Sequence, residues 1–189
     1  MGEDAASSKR LERLRAGDAT AFSEIYELHA PAIFRFLSRL CRRRELAEDL
    51  LQETWLRLAR HGRALRPDTE VRAWLYSVAR NLARSHARWA VLDGQALAAL
   101  GTWWYLAAAS EAPHDAAVAA DAARRLERAF ARLPVTGREV LLLVAGEGLG
   151  VDEAARILGV TAEAARQRLH RARAALAASL PRGDHQEDP

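Results

Sequence analysis

Residues 152–173 read DEAARILGVTAEAARQRLHRAR, and apolar residues recur at helical spacing on both sides of Gly159. Glycine permits a tight turn after a short amphipathic helix, Val160 can fill that turn, and Thr161 has the side chain of a helix N-cap. The stretch therefore predicts a helix-turn-helix unit, whose short first helix ends at Gly159 and whose second helix covers about 162–180.

The second helix of this unit has one apolar face and one basic face. Steps of about 100° per residue place four apolar residues on one side: Ala165, Leu169, Ala172 and Leu176. Four arginines and no acidic residue lie between 164 and 180, a charge pattern typical of a surface that binds phosphate. We predict that a DNA duplex contacts the cap and the outward side chains: Thr161, Glu163, Arg166, Gln167, Arg168, His170, Arg171 and Arg173. From the residues alone, a packed helical hairpin with a solvated arginine face is the alternative.

The rest of the chain also predicts helices. Apolar residues recur from Phe22 to Leu40, and Pro31 should divide this segment into two helices. Further helices are predicted over about 45–60, 70–91, 116–133 and 136–145, with Thr136 as the N-cap of the last.

The composition favours helix and excludes several classes of protein. Of 189 residues, 41 are alanine and 27 arginine, and half are hydrophobic, which is enough for a core. No apolar run approaches the ~20 residues of a membrane span, and the first residues lack a secretory signal. We expect a cytoplasmic protein with no membrane insertion of its own. The single cysteine, Cys41, excludes an intramolecular disulfide.

Charge is distributed in two basic segments around an acidic one. Residues 20–92 contain thirteen arginines and eight acidic residues, and residues 124–180 contain ten arginines and six acidic residues. Residues 93–123, in contrast, contain four acidic residues and no Lys or Arg. We predict an all-α protein with an N-terminal helical bundle and a C-terminal helix-turn-helix domain, joined by a flexible linker. Residues 1–19 are then an N-terminal extension and 181–189 a polar tail.

The predicted helix over 70–91 combines arginine with aromatic residues. Trp74, Val78 and Leu82 share one face, and no acidic residue lies between 71 and 92. A basic or aromatic residue recurs every four positions: Arg72, Tyr76, Arg80, Arg84 and Arg88. Such a mixture suits unpaired bases beside a phosphate backbone. A solvated arginine face with core tryptophans explains the same pattern.

The predicted helix over 45–60 has an acidic face instead: Glu45, Glu48, Asp49, Gln52 and Glu53. Acidic residues early in a helix complement its macrodipole, and Glu53 with Arg57 is a favourable i,i+4 pair. The functional alternative is a docking face for a basic protein surface, since nucleic acid would be repelled there.

Other chemistry has little support in the sequence. The six histidines lack metal-ligand spacing, the glycines at 146, 148 and 150 have no phosphate-loop context, and no nucleophile triad can be assembled. We predict no catalytic residue, no metal and no cofactor. Cys41 beside arginines is interpreted as a structural cysteine, with a reactive thiol as the alternative.

Three stretches together resemble an extracytoplasmic-function (group 4) sigma factor of bacterial RNA polymerase. ELAEDLLQETW at 45–55 resembles region 2.2, and AWLYSVARNLA at 73–83 resembles regions 2.3 and 2.4. LP at 133–134, REVLLL at 138–143 and RLHRAR at 168–173 resemble region 4, and Phe22 to Leu40 corresponds to region 2.1.

The resemblance implies a role for each surface. The polymerase core would bind Glu45, Glu48, Asp49, Gln52, Glu53 and Trp55. The minus-10 promoter element would be melted and held by Arg72, Trp74, Tyr76, Arg80, Asn81, Arg84 and Arg88. The minus-35 element would meet the outward face of the last helix, while the linker would enter the polymerase. An anti-sigma factor is a further implied partner.

This chain departs from the family pattern at two places. Ser85 stands where an acidic residue is usual, and Glu163-Ala164-Ala165 replaces the usual Gly-Thr-Val. The promoter sequence therefore does not transfer. Two other functions remain open from the sequence: a stand-alone helix-turn-helix regulator, and a sigma mimic that titrates an anti-sigma factor. The role of Trp103-Trp104-Tyr105 in the linker also remains open.

Overall fold

The computed structural model describes residues 2–92 and 113–179, with side chains over 5–87 and 123–179. Eight α-helices lie in these residues: α1 (Gly2–Arg15), α2 (Ala19–Cys41), α3 (Arg44–His61), α4 (Val71–Leu92), α5 (Pro113–Arg132), α6 (Val135–Leu141), α7 (Val151–Leu158) and α8 (Ala162–Ser179). A short 3-10 helix, Gly62–Ala64, follows α3, and a π-helical turn, Leu142–Gly146, follows α6. No strand occurs in the described residues, which confirms the all-α prediction. The Trp103-Trp104-Tyr105 motif lies outside them.

The N-terminal half is a bundle of α2, α3 and α4, with α1 packed against α2. Its core includes Ile33, Phe36 and Leu58, each of which is almost fully buried. The ring of Phe36 meets that of Tyr76 edge to face, with 5.4 Å between centroids. Burial of these side chains supplies most of the stability of the bundle.

The prediction that Pro31 divides α2 is wrong. The helix runs without a break from Ala19, behind an N-cap in which the Asp18 carboxylate accepts from the Thr20 amide at 2.8 Å. Pro31 lies on the exposed face, so its ring faces solvent, although it cannot donate to the carbonyl of Glu27. The buried stripe on the other face continues through this position, and its burial offsets the lost hydrogen bond.

Two more local predictions need correction. Thr136 does not cap α6, because that helix begins one residue earlier, at Val135, with Pro134 in the cap position. The predicted helix over 136–145 is also not uniform, because its second half is the π-helical turn. In the N-terminal extension, α1 was not predicted, and Leu11 and Leu14 anchor it to the core.

The two halves of the chain pack against each other. Helix α4 contacts α7, and α2 contacts the π-helical turn. One cluster of buried apolar side chains includes residues of both halves, among them Leu37 and Leu143. An apolar groove of about 650 Å³ remains at their junction, bordered by Phe34 of α2, Phe130 of α5 and Leu142.

Candidate nucleic-acid and protein interfaces

The helix-turn-helix unit has the geometry predicted from the sequence. Gly159 ends α7 in the left-handed region, at φ 65° and ψ 40°. Its amide donates to the Arg156 carbonyl at 3.2 Å, and the Val160 amide donates to that of Ala155 at 3.1 Å. The Thr161 hydroxyl then accepts from the Ala164 amide at 3.1 Å, which caps α8. Local bonds thus fix the angle at which α8 leaves the turn.

Helix α8 presents the predicted polar face to solvent. Ala165, Leu169 and Ala172 are buried against α6 and α7, as the periodicity predicts. Arg168 is half-buried, and the other predicted DNA contacts are exposed: Thr161, Glu163, Arg166, Gln167, His170, Arg171 and Arg173.

Local polar contacts order this exposed face. Arg166 pairs with Asp152 at 3.1 Å, and Gln167 donates to Glu163 at 3.2 Å while it accepts from Arg171 at 3.2 Å. Exposed pairs of this kind contribute little stability, about 0–1 kcal/mol each. The arginines can therefore exchange these partners for phosphate or base edges at little cost.

The acidic residues of α3 form an accessible surface. Glu45, Glu48, Asp49 and Gln52 are exposed, and Glu53 is half-buried. Two i,i+4 pairs border the surface, Arg44 with Glu48 at 2.6 Å and Arg57 with Glu53 at 3.1 Å. Except for Trp55, the predicted docking residues are thus accessible to a partner.

Trp55 lies beneath this surface and not on it. The side chain is only 6% exposed, and its ring packs against Tyr26 and Phe22 with centroid distances of 4.8 and 6.1 Å. Tyr26 and Leu56 remain partly exposed beside it. The structure therefore places Trp55 beneath the predicted docking surface, packed against Tyr26 and Phe22.

Helix α4 has a buried face and an accessible face. Val71, Leu75 and Ala79 are buried in the bundle, whereas Trp74, Val78 and Leu82 are half-buried. Of the predicted DNA-binding residues, Asn81 and Arg84 are exposed, and Arg72 is half-buried. The side chain of Arg88 lies outside the described side chains.

Two predicted DNA-binding residues of α4, Tyr76 and Arg80, are buried. Tyr76 is 1% exposed and Arg80 is 6% exposed. Arg80 Nε lies 3.1 Å from Glu139 Oε1, and Glu139 is completely buried. Arg84 Nε is 3.9 Å from the same oxygen. The carboxylate of α6 thus faces two arginines of α4.

A second carboxylate of the C-terminal half, Glu147, reaches the same helix. The Tyr76 hydroxyl donates to Glu147 Oε2 at 3.2 Å, and Arg35 of α2 pairs with that oxygen at 3.3 Å. Arg72 donates to the backbone carbonyl of Glu147 at 3.1 Å. Burial, together with the charge of Glu147, raises the pKa of Tyr76, so the phenol stays protonated and can act as a donor.

Sequence reasoning missed Glu139 and Glu147 as partners of α4. Glu139 carried one signal, because it directly precedes the apolar run that starts at Val140 and lies four residues before the buried Leu143. A carboxylate at an inward helical position requires a cationic partner. No feature of the sequence indicated that the partner is Arg80.

Comparison with known proteins identifies the two halves. Residues 25–90 match the family Sigma-70 region 2, and residues 123–176 match Sigma-70, region 4. The RNA polymerase sigma factor CarQ of Myxococcus xanthus is 34% identical over 168 residues, which span 85% of this chain and 90% of CarQ. The ECF RNA polymerase sigma factor SigM of Mycobacterium tuberculosis is 30% identical over 87% of this chain and 80% of its own length.

The chain belongs to the ECF sigma factors of RNA polymerase. The solved structure of CnrH in complex with the cytosolic domain of CnrY has a TM-score of 0.69 and 23% identity, and covers 92% of this sigma factor and 96% of that chain. The sigma factor RpoE of Bartonella quintana, in complex with the anti-sigma factor NepR, has a TM-score of 0.68 and 22% identity over 84% and 95%. Both likenesses establish the shared fold.

In this sigma factor, the described residues hold no group of three or more metal-ligating side chains, and no helix among them is long and apolar enough to cross a membrane. Cys41 is half-buried, and burial raises the pKa of its thiol to about 12 despite the nearby charge of Arg138. Its thiol is therefore protonated at neutral pH, which favours the structural interpretation over the reactive one.

Proposed function

We propose that this sigma factor binds the RNA polymerase core, recognises the minus-10 and minus-35 promoter elements, and promotes DNA melting for transcription initiation. Membership of the ECF family supports this function most directly. The chain contributes binding surfaces, and the polymerase supplies the catalysis, so we assign no catalytic residue, metal or cofactor to it. We expect it in the cytoplasm, where polymerase and promoter DNA are.

We divide the chain into five parts. Residues 20–92 form region 2, which binds the core and the minus-10 element, and 124–180 form region 4, which binds the minus-35 element. The linker covers 93–123, between an extension over 1–19 and a tail over 181–189. The uneven distribution of charge along the sequence supports these bounds.

The polymerase-docking surface is the exposed acidic face of α3: Glu45, Glu48, Asp49, Gln52 and Glu53, with Trp55 beneath it. Its negative charge fits a basic surface on the largest subunits of the polymerase, and charge complementarity of this kind steers association. The same charge repels DNA, which keeps promoter and polymerase on different faces of the bundle.

Promoter DNA binds two other surfaces. The exposed face of α8 enters the major groove at the minus-35 element, because an α-helix fits that groove and its arginines, Gln167 and His170 can contact phosphates and base edges. The arginines and aromatic residues of α4 hold the opened minus-10 element, since aromatic rings stack on unpaired bases and guanidinium groups pair with phosphates.

Run-off transcription with purified core polymerase tests the proposal, with the DNA upstream of this gene as template. We expect a discrete transcript that depends on the sigma factor and disappears with Glu48→Arg/Asp49→Arg. The matched control is Glu12→Arg/Glu27→Arg, which makes the same change of charge at exposed positions of α1 and α2 and should keep the transcript. Absence of both a transcript and a complex with core would overturn the proposal, and tight specific duplex binding without polymerase would favour a stand-alone regulator.

We also propose an anti-sigma factor as a regulatory partner. RpoE of Bartonella quintana, which has the same fold, was solved in complex with an anti-sigma factor. Fractionation of cell extracts should yield a pool of this sigma factor in complex with a protein that is not a polymerase subunit and that inhibits run-off transcription when purified. A sigma factor found only on polymerase under all growth conditions would contradict this.

A further inference from the structure

Helix α8, all of whose residues the structure describes, carries one acidic residue, Glu163, on the proposed minus-35 surface. The other charged side chains of the helix at neutral pH are arginines: Arg166, Arg168, Arg171 and Arg173. A carboxylate on a surface that binds DNA repels phosphates and lowers the affinity for DNA of any sequence. The Thr161 hydroxyl already caps the helix, so the cap does not require Glu163. The position of this carboxylate indicates a function in recognition.

Glu163 lies near the middle of the outward face of α8, and arginines lie toward the edges of that face. Steps of about 100° per residue place Gln167 about 40° and His170 about 20° from Glu163, whereas the buried Ala172 is about 180° away. Three arginines are rotated about 60–80° from Glu163 by the same steps, namely Arg166 and Arg173 to one side and Arg171 to the other. When this face enters the major groove, its middle therefore meets base edges and its edges meet the phosphates of the groove walls.

Glu163 also lies at the end of α8 that reads bases. It is the second residue of the helix, and its side chain is 69% exposed. In helix-turn-helix proteins, the N-terminal residues of the second helix contact base edges. The carboxylate thus has both the axial position and the direction of a base-reading group.

Neighbouring side chains restrain the carboxylate of Glu163 without saturating it. Gln167 Nε2 donates to Glu163 Oε1 at 3.2 Å, and Arg166 lies 3.8 Å from Oε2. Gln167 is oriented in turn by Arg171, which donates to its carbonyl oxygen at 3.2 Å. An ionised carboxylate accepts about four hydrogen bonds, so Glu163 keeps acceptor capacity for a base. Restraint before binding also lowers the entropic cost of that contact.

The major-groove edge of one base suits an acceptor-only side chain best. Guanine presents the acceptors N7 and O6, and thymine presents the acceptor O4 beside a methyl group. Adenine has an amino group, but the acceptor N7 next to it repels an anion. Cytosine presents the N4 amino group and no acceptor on this edge. A carboxylate held against base edges therefore selects cytosine.

We propose that Glu163 determines specificity at the minus-35 element, where its carboxylate accepts a hydrogen bond from the N4 amino group of a cytosine. The proposal rests on the proposed function, because it requires that α8 binds the minus-35 element. At a sequence that lacks this cytosine, the carboxylate stays unpaired beside DNA phosphates, so it weakens binding to competing sites. Glu163 thus rejects wrong sequences as well as binding the right one.

Run-off transcription with core polymerase measures this specificity position by position. The template is the DNA upstream of this gene, with each base pair of its minus-35 element replaced in turn by the other three. For the wild type, we expect one position that requires C·G, where the other base pairs lower the transcript about fivefold to a hundredfold. Glu163→Ala should lose the preference at this position and keep the preferences at the others.

Glu163→Gln gives a result that a structural role of Glu163 would not produce. Glutamine has nearly the same shape, and its amide can pair with N6 and N7 of adenine, so the preference at this position should change from C·G to A·T. The matched control is Asp152→Asn, which removes an exposed carboxylate of α7 that also pairs with Arg166. This control should keep the C·G preference, and thermal unfolding should show that all three variants are folded.

The outcomes separate this proposal from the function on which it rests. A C·G preference that survives in both variants of Glu163, or a wild type with transcripts but no position that requires C·G, would overturn the proposal and leave the sigma function intact. Loss of the preference in Asp152→Asn as well would indicate a general effect of charge and would also overturn it. Absence of a wild-type transcript from every template would instead overturn the proposed function, and this proposal with it.

Discussion

Replacement of Gly159 by alanine measures what the turn of the helix-turn-helix unit requires. No heavy atom lies within 4 Å of the position that a Cβ would take, so alanine introduces no clash. The cost is conformational, because φ is +65° and an L-residue in the left-handed region costs about 1–2 kcal/mol. Alanine also reduces the conformational entropy of the unfolded chain, which offsets ~0.4–1 kcal/mol of this cost. The net decrease in the free energy of unfolding is then about 1 kcal/mol.

The assay is thermal unfolding, followed by circular dichroism, of the wild type, Gly159→Ala and Gly159→Asn. Since the hydrophobic cluster includes both halves of the chain, we expect one transition, and a loss of about 1 kcal/mol then lowers the Tm by roughly 2–4 °C. Asparagine tolerates the left-handed region and should recover part of that loss. An alanine variant as stable as the wild type, or an asparagine variant less stable than the alanine one, would refute the conformational argument.

Three further predictions follow from individual side chains. Burial raises the pKa of Cys41 from 9.0 to about 12, so at pH 8 the folded protein should have about a thousandfold less Cys41 thiolate than the unfolded chain. Because the thiolate is the reactive form, iodoacetamide should alkylate Cys41 correspondingly slowly until urea unfolds the protein. Burial, reinforced by the charge of Arg72, lowers the pKa of His29 in the folded protein. The free energy of unfolding should therefore be unaffected by His29 above the ordinary pKa of 6.5 and should decrease as the pH falls below it. Urea unfolding from pH 7 to 5 should show this decrease, and the decrease should be smaller in His29→Gln. Arg166→Ala breaks two exposed ion pairs, with Asp152 and with Glu163, so the free energy of unfolding should change by less than about 1 kcal/mol. The salt dependence of binding to a minus-35 duplex should decrease by about one unit of slope, and an unchanged slope would exclude a phosphate contact.

Local signals made the C-terminal helix-turn-helix unit predictable. Gly159 and Thr161 act on the residues next to them in the chain, and the buried stripe of α8 follows from one helical period, so neither depends on distant contacts. The acidic face of α3 was predictable for the same reason, although burial of Trp55 beneath it was not. That burial depends on Tyr26 of another helix.

Predictions that depended on tertiary packing were wrong or missing. Pro31 has a strong local tendency to interrupt a helix, but the buried stripe of α2 outweighs it. Helix α1 has few apolar residues, and its stability depends on contacts that Leu11 and Leu14 make with the bundle. The partners of α4 come from another part of the chain: Tyr76 and Glu147 are separated by 71 residues, a pairing that no periodicity can indicate.

Pro31 gives α2 two segments joined at a weak point. The segment before it carries Phe22 and Tyr26, which pack against Trp55 beneath the proposed docking surface, and the segment after it carries Arg35, which pairs with Glu147 of the other half. Because the proline already lacks an amide donor, the helix can bend there without the loss of a further backbone hydrogen bond. A small tilt imposed at one end of α2 can therefore be taken up at Pro31 with little elastic resistance, while each segment stays rigid.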